Sequence, residues 1–275
     1  MVVQQHRRRR GGAFAVAAAV TGVAVAVTGC SGAADASPPG PDPATAVREV
    51  PDVLSRAGTA KARTSMEMAT GGTLVTIRGE GGYDFHSSSG RIRVVLPKES
   101  SASGERRPIT ELLTPGALYM KNRGAGVPAD KWVRIDTTAL DDGNLVTGGA
   151  TDPAAAAELL RAARKVTVVG AEEVAGVQVT HYRGTTDIAD AARVASPRVR
   201  GALAAAAKGF AEDTVAFDAY LDEQGRLRKV RHRFSFANDG REVAVASTTL
   251  LYGFGAPVDV RLPPPQDIFA GKIQT

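Results

Sequence analysis

The sequence holds one cysteine, Cys30, in 275 residues, so the chain cannot form an internal disulfide and its stability must come from a packed core. Aromatic residues make up only 5% of it, with a single Trp, which leaves Val, Ala, Leu and Ile to supply most of the interior. Histidine is equally scarce. Beyond Cys30 only His86, His181 and His232 remain, far apart and without a His-x-x-x-His pair, so the sequence offers no zinc-binding spacing. Gly79, Gly81 and Gly82 fail as a dinucleotide fingerprint because Asp84 stands where the third glycine belongs. There is also no Gly-Lys-Ser/Thr phosphate loop and no Gly-x-Ser-x-Gly elbow. Paired acids such as Asp141-Asp142, Glu172-Glu173 and Glu212-Asp213 fall at turns or element ends. Neighbouring strand residues point to opposite faces, so these pairs are poor acid/base partners. The expectation is a protein that is not an enzyme and uses no cofactor and no metal.

One-signed charge is absent too. Of 34 Lys and Arg, four form the run Arg7 to Arg10, while all 29 acids lie beyond Cys30; with the leader removed the balance is 30 against 29. A nearly neutral chain without a basic block interleaved with aromatics is not expected to bind nucleic acid.

What is present begins at the N-terminus. Arg7 to Arg10 precede Ala13 to Val27, a run of fifteen residues built almost wholly from Ala, Val and Gly. As a helix that run rises about 22 Å, short of a ~30 Å hydrocarbon core, and reads as a secretory signal instead of a transmembrane span. Its basic head suits the cytoplasmic face, and both Sec-type and twin-arginine export remain open. The run closes on Val27-Thr28-Gly29-Cys30, which resembles the bacterial lipobox. That resemblance implies diacylglyceryl transfer to the Cys30 thiol and cleavage before it. Two acyl chains suffice for stable anchoring. The organisation expected is a lipoprotein signal over 1–29, a flexible Ser/Gly/Ala/Pro tether over 30–45, and a single domain over 46–270. The chain would sit lipid-anchored on the extracytoplasmic face of the cell membrane.

Within the domain the pattern predicts helix from Ala44 to Arg63, then strands. Thr64 to Ala69, Thr73 to Glu80, Tyr83 to His86 and Arg91 to Leu96 come first, with Gly81-Gly82 as a break. Ile109 to Leu113, Ala117 to Lys121 and Lys131 to Asp136 follow. Asp152-Pro153 opens an Ala-rich helix with Asp at the cap and Pro in the first turn. Lys165 to Val174 and Gly176 to Gly184 form a hairpin. Asp187 to Val194 and Pro197 to Phe210 are helical, and Thr214 to Leu221, Arg226 to Phe236 and Glu242 to Tyr252 make a meander before the extended tail Pro257 to Pro265. Helices grouped in one block between runs of strands indicate an α+β domain, a curved antiparallel half-barrel sheet covered by helices.

Strand alternation nominates one apolar face. Its candidates are Ile92, Val94 and Leu96, then Val215, Phe217 and Leu221, then Val230, Phe234 and Phe236, with Val243 and Val245 on the last strand. His232 shares this parity. The face is either an ordinary core sealed by helices or the wall of a ligand cavity, and a carrier needs several hundred Å³ of room.

The lipobox, the tether, the late Tyr182-Arg183-Gly184-Thr185, the hairpin Ala219 to Val230 and the exit Pro257 to Pro263 together resemble the mycobacterial LppX/LprG type of lipoprotein. The resemblance spans about Val47 to Pro264. It implies a LolA-like half-barrel packed on helices, with a hydrophobic cavity that binds or carries a lipid or acylated glycolipid in a monomeric protein, and it carries no catalytic residues. A lipid-anchored module with a filled core, docking on an envelope protein partner, is the alternative.

Overall fold

The computed structural model describes residues 42–70, 73–97, 108–124, 126–210, 212, 214–238 and 241–271. The signal, Cys30 and most of the tether therefore lie outside the described residues, as does most of the loop from Pro97 to Pro108.

The chain enters through two short helices. In α1 (Pro43–Arg48) Asp42 caps the Thr45 amide; α2 (Val50–Ala57) follows at once with Pro51 in its first turn. Val47, Val50 and Leu54 are fully buried. Helix is predicted to run on to Arg63 but stops at Gly58, whose φ of 76° ends it in a conformation that costs glycine little. The next twelve residues are strand, β1 (Thr59–Thr70), because Ala60, Ala62, Thr64 and Met66 alternate with Lys61, Arg63 and Ser65 as a two-residue repeat.

Five more strands complete a meander: β2 (Thr73–Asp84), β3 (Ser89–Val95), β4 (Ile109–Thr114), β5 (Ala117–Lys121) and β6 (Trp132–Asp136). Gly81-Gly82 does not break β2, contrary to expectation. A Cβ on Gly81 would lie 1.9 Å from the Arg91 carbonyl oxygen, so glycine serves close approach to β3 inside an unbroken strand.

After a loop come α3 (Pro153–Glu158), capped by Asp152, and one turn of 3₁₀ helix. The hairpin β7 (Arg164–Val174) and β8 (Val177–Asp187) turns at Ala175-Gly176, both at positive φ as a two-residue hairpin turn demands. Next are α4 (Ile188–Val194), α5 (Pro197–Gly209) and the closing meander β9 (Thr214–Leu221), β10 (Leu227–Asn238) and β11 (Arg241–Tyr252).

All eleven strands described form one antiparallel sheet in the order β6-β5-β4-β3-β2-β1-β11-β10-β9-β8-β7. Two meanders are thus joined by their first and last strands, Thr64 opposite Thr249 and Met66 opposite Ser247, and the outermost strands β6 and β7 do not pair with each other, so the sheet does not close. The α+β class, a curved unclosed antiparallel sheet with a few helices, is as the sequence indicates. The tail does not leave the domain. Val258 packs against Gly82, and Ile268 and Phe269 pair with Trp132 at the far edge.

Candidate functional site

One face of the sheet carries the predicted apolar parity. Ile92, Val94, Val215, Phe217, Leu221, Val230, Phe234, Val243 and Val245 are all buried in a single core cluster, and Leu96 packs half-buried against it. The Phe236 side chain lies outside the described residues. Opposite these strands stand small residues of the covering helices, Ala154 to Ala157 in α3, Ala191 and Ala192 in α4 and Ala206 in α5, with Leu203 of α5 among them. Short side chains let the helix backbones sit close to the sheet. Among the described residues the recesses beneath this cover are small. One of about 20 Å³ lies between Leu113, Ala155 and Val199, and one of about 120 Å³ lies between α2, α3 and the start of α5.

The cover is also tied down. Thr151 Oγ1 and Ser247 Oγ are 2.5 Å apart, joining the loop before α3 to β11. The Thr186 hydroxyl on β8 donates to the Leu159 carbonyl at 2.6 Å, and Arg48 Nε donates to the Ala163 carbonyl at 2.9 Å. Arg161 donates to both Asp52 oxygens at 2.7 and 2.9 Å while its Nε reaches Glu158 at 2.6 Å, so it clasps α2 to the helical block. The Arg161 hydrogen bonds hold the Asp52 carboxyl below its ordinary value.

Glu111 and His232 are titratable groups sealed into this apolar layer. Glu111 on β4 sits between Ile92 and Met120 in the lateral row, fully buried, with neither carboxylate oxygen hydrogen-bonded. Burial pushes its pKa up to about 8, against a weaker opposing pull from Arg123. His232 is the histidine expected at the margin of the apolar face, and it lies within that face, between Phe217 and Phe234 at ring distances of 6.4 and 5.8 Å. Burial drives its pKa down to about 3, so the imidazole is neutral at neutral pH.

A polar cluster that sequence reasoning missed occupies the other face. His181 on β8 lies between two carboxylates, Nδ1 2.7 Å from Glu172 and Nε2 2.8 Å from Asp218, with its ring stacked 4.3 Å from Tyr220. Asp218 also accepts from Arg183 at 2.9 Å and Arg233 at 2.6 Å. Burial raises the Asp218 pKa, but the His181, Arg233 and Arg183 hydrogen bonds together outweigh it and hold the group at about 2. The signal was the parity shared by Glu172, His181, Asp218 and Arg233, legible only once β7 to β10 are laid side by side. With both ring nitrogens occupied by carboxylates, His181 activates no nucleophile in this arrangement. Among the described residues no three His, Cys, Asp or Glu are grouped to hold a metal.

A larger recess opens on this same face, which carries no helix among the described residues. It has a volume of about 880 Å³ and is lined by Arg63, Ser65, Arg78, Arg93, Val95 and Leu250. Arg63 is paired with Glu80 at 3.2 Å, and Glu80 accepts from the Tyr252 hydroxyl at 2.9 Å.

No protein-family profile and no curated protein sequence matches the chain. Solved structures similar to it include two mycobacterial lipoproteins of the LppX/LprG type. LprF from Mycobacterium bovis is 12% identical, with a TM-score of 0.41 over 81% of this chain and 97% of that one. LppX from Mycobacterium tuberculosis is 9% identical, with a TM-score of 0.47 over 79% of this chain and 97% of that one. At such identities and scores the likeness carries no argument about ligand, and the functional reading rests on this chain's own residues.

Proposed function

We propose that the chain is an exported lipoprotein, anchored through Cys30, that serves as a binding module of the cell envelope and works through the helix-free face of its sheet, with a filled interior. The observation that carries this reading is the distribution of space among the described residues. A recess of ligand size, about 880 Å³, lies on the outer face, while those of about 20 and 120 Å³ at the covering helices fall short of the ~300–1,000 Å³ typical of ligand sites.

One observation favours a second reading, that of a carrier for a lipid or acylated glycolipid. Met68, Val75, Leu96 and Val146 are apolar and only partly buried where they pack on the core, so part of that apolar layer is within reach of solvent. Acyl chains could enter there if the helices lift.

The Thr151–Ser247 contact separates the two readings. In the full-length protein the Thr151→Cys/Ser247→Cys pair would place a disulfide between cover and sheet. Uptake of a neutral diacyl lipid is then measured in the oxidised and reduced forms. The binding-module reading expects no uptake in either form. Uptake by the reduced protein that disappears on oxidation would establish the carrier instead.

A further inference from the structure

We propose that the outer face of β1, β2 and β3 is an electrostatic docking surface for an anionic phospholipid bilayer, which orients the anchored domain on its own membrane. This rests on the anchored-module reading and adds to it the partner of the outer face.

The surface is built by register. Across the three strands Lys61 stands opposite Gly82 and Gly82 opposite Arg91; Arg63 opposite Glu80 and Glu80 opposite Arg93; Ser65 opposite Arg78 and Arg78 opposite Val95. All nine share the helix-free face, since Ala62, Thr64, Ile77, Ile92 and Val94 at the alternate positions are buried. The block measures about 13 Å along the strands and about 10 Å across them. It holds five cations and one carboxylate, and every one of those six side chains is exposed.

The lone acid is already occupied by Arg63 and by the Tyr252 hydroxyl. Among the described residues Lys61, Arg78, Arg91 and Arg93 have no carboxylate partner. Elsewhere on this face Arg231 pairs with Glu67 at 2.9 Å and Arg183 and Arg233 with Asp218, while Lys229 lies over the Tyr220 ring and Lys121 over the Trp132 ring. Four cations without a carboxylate partner thus stand together on three adjacent strands, in a chain whose acids and bases nearly cancel once Arg7 to Arg10 are set aside. Such a cluster is complementary to a layer of phosphates. Val95 and Leu250 add apolar surface beside it, at the depth where headgroups meet acyl chains.

A lipid anchor supplies the second condition. The eleven residues between Cys30 and the Asp42 cap, Ser, Gly, Ala, Asp and Pro in composition, would span about 18 Å root-mean-square as a flexible chain, which holds the domain where a weak surface attraction suffices. Each unpaired basic residue near an anionic surface multiplies binding about fivefold, within a Debye length of about 8–10 Å. Contact through four such residues then outweighs free rotation of the tethered domain.

The test uses the full-length lipoprotein reconstituted on vesicles of phosphatidylcholine alone or with phosphatidylglycerol. With Cys30 acylated, Ser65→Cys provides one free thiol in the middle of the surface for an environment-sensitive dye. The expected result is a blue-shifted emission only on the phosphatidylglycerol vesicles, lost at about 0.5 M salt. It should also be lost in the exposed triple variant Arg78→Gln/Arg91→Gln/Arg93→Gln and retained in the corresponding triple Lys variant. Emission that is the same on both vesicles, or that stays shifted in the triple Gln variant, overturns the docking surface, including the case in which the face serves an acidic protein. Flotation with phosphatidylcholine vesicles reports the anchor separately. A protein that fails to float there but floats with phosphatidylglycerol vesicles, in a manner sensitive to the triple Gln change, upholds the docking surface without the anchor.

Discussion

Replacing Glu111 by Gln should change how the stability of the domain depends on pH. Glu111 keeps a pKa of about 8 when folded, against 4.5 as the ordinary value it regains on unfolding. Between those values the folded state holds a proton that the unfolded state releases. The group's contribution is complete below pH 4.5 and is lost as pH rises toward 8. At about 1.36 kcal/mol per pKa unit, roughly 3 kcal/mol is lost between pH 5 and pH 7.5. Glu111→Gln cannot ionise and abolishes that slope, while its unpartnered amide carries a pH-independent cost of about 1–3 kcal/mol. The assay is urea unfolding at several pH values from 5 to 7.5, followed by the fluorescence of Trp132, the sole tryptophan. The quantity of interest is wild type minus variant, because His232 also titrates over part of this range. A difference that shifts against the wild type by about 3 kcal/mol supports the buried, neutral acid. Parallel wild-type and variant curves refute it and would mean that water reaches the carboxylate.

His232 gives the opposite slope. Folded it titrates at about 3 and unfolded at about 6.5, so stability is lost as pH falls from 6.5 toward 3; His232→Leu should remove this loss, read as the wild-type-minus-variant stability at pH 4 and pH 7. Phe217→Ala empties a fully buried site on β9 and should cost about 3–5 kcal/mol in chemical denaturation. Gly81→Ala forces a Cβ against the Arg91 carbonyl and should cost about 3 kcal/mol or prevent folding, with amide exchange first rising across the β2–β3 pair. Asp218→Asn leaves Arg183, Arg233 and His181 facing a neutral group and should lower stability at pH 7, an effect that fades as acid approaches the Asp218 pKa of about 2.

Much of the fold was legible because its strands obey a two-residue repeat and its helices carry their own punctuation. Asp152-Pro153 and Asp187 announce helix starts through the amides they cap, and Ala175-Gly176 announces a hairpin. Where the reading failed, the cause was tertiary. Gly81-Gly82 carries the turn chemistry of a break, yet contact with Arg91 turns it into a point of close approach within β2. Val47 to Arg63 keeps apolar spacing that suits a helix as well as a strand for several residues, and only Gly58 separates them. Pairing of β1 with β11 brings together residues nearly two hundred positions apart, and no local signal encodes it. The same holds for Glu111, an acid between Thr110 and Leu112 whose burial depends on Ile92 and Met120, and for the basic block of β1 to β3, whose members are dispersed from Lys61 to Arg93.

The most direct test of the proposed filled interior is native mass spectrometry of the full-length protein, released from detergent after incubation with a neutral diacylglycerol. On the proposed reading, the core packed by Phe217, Val230, Phe234 and the alanines of α3 admits no acyl chain. The spectrum should then show the protein with its covalent anchor and no further lipid. One diacylglycerol retained per chain, and lost from the Thr151→Cys/Ser247→Cys protein on oxidation, would contradict it.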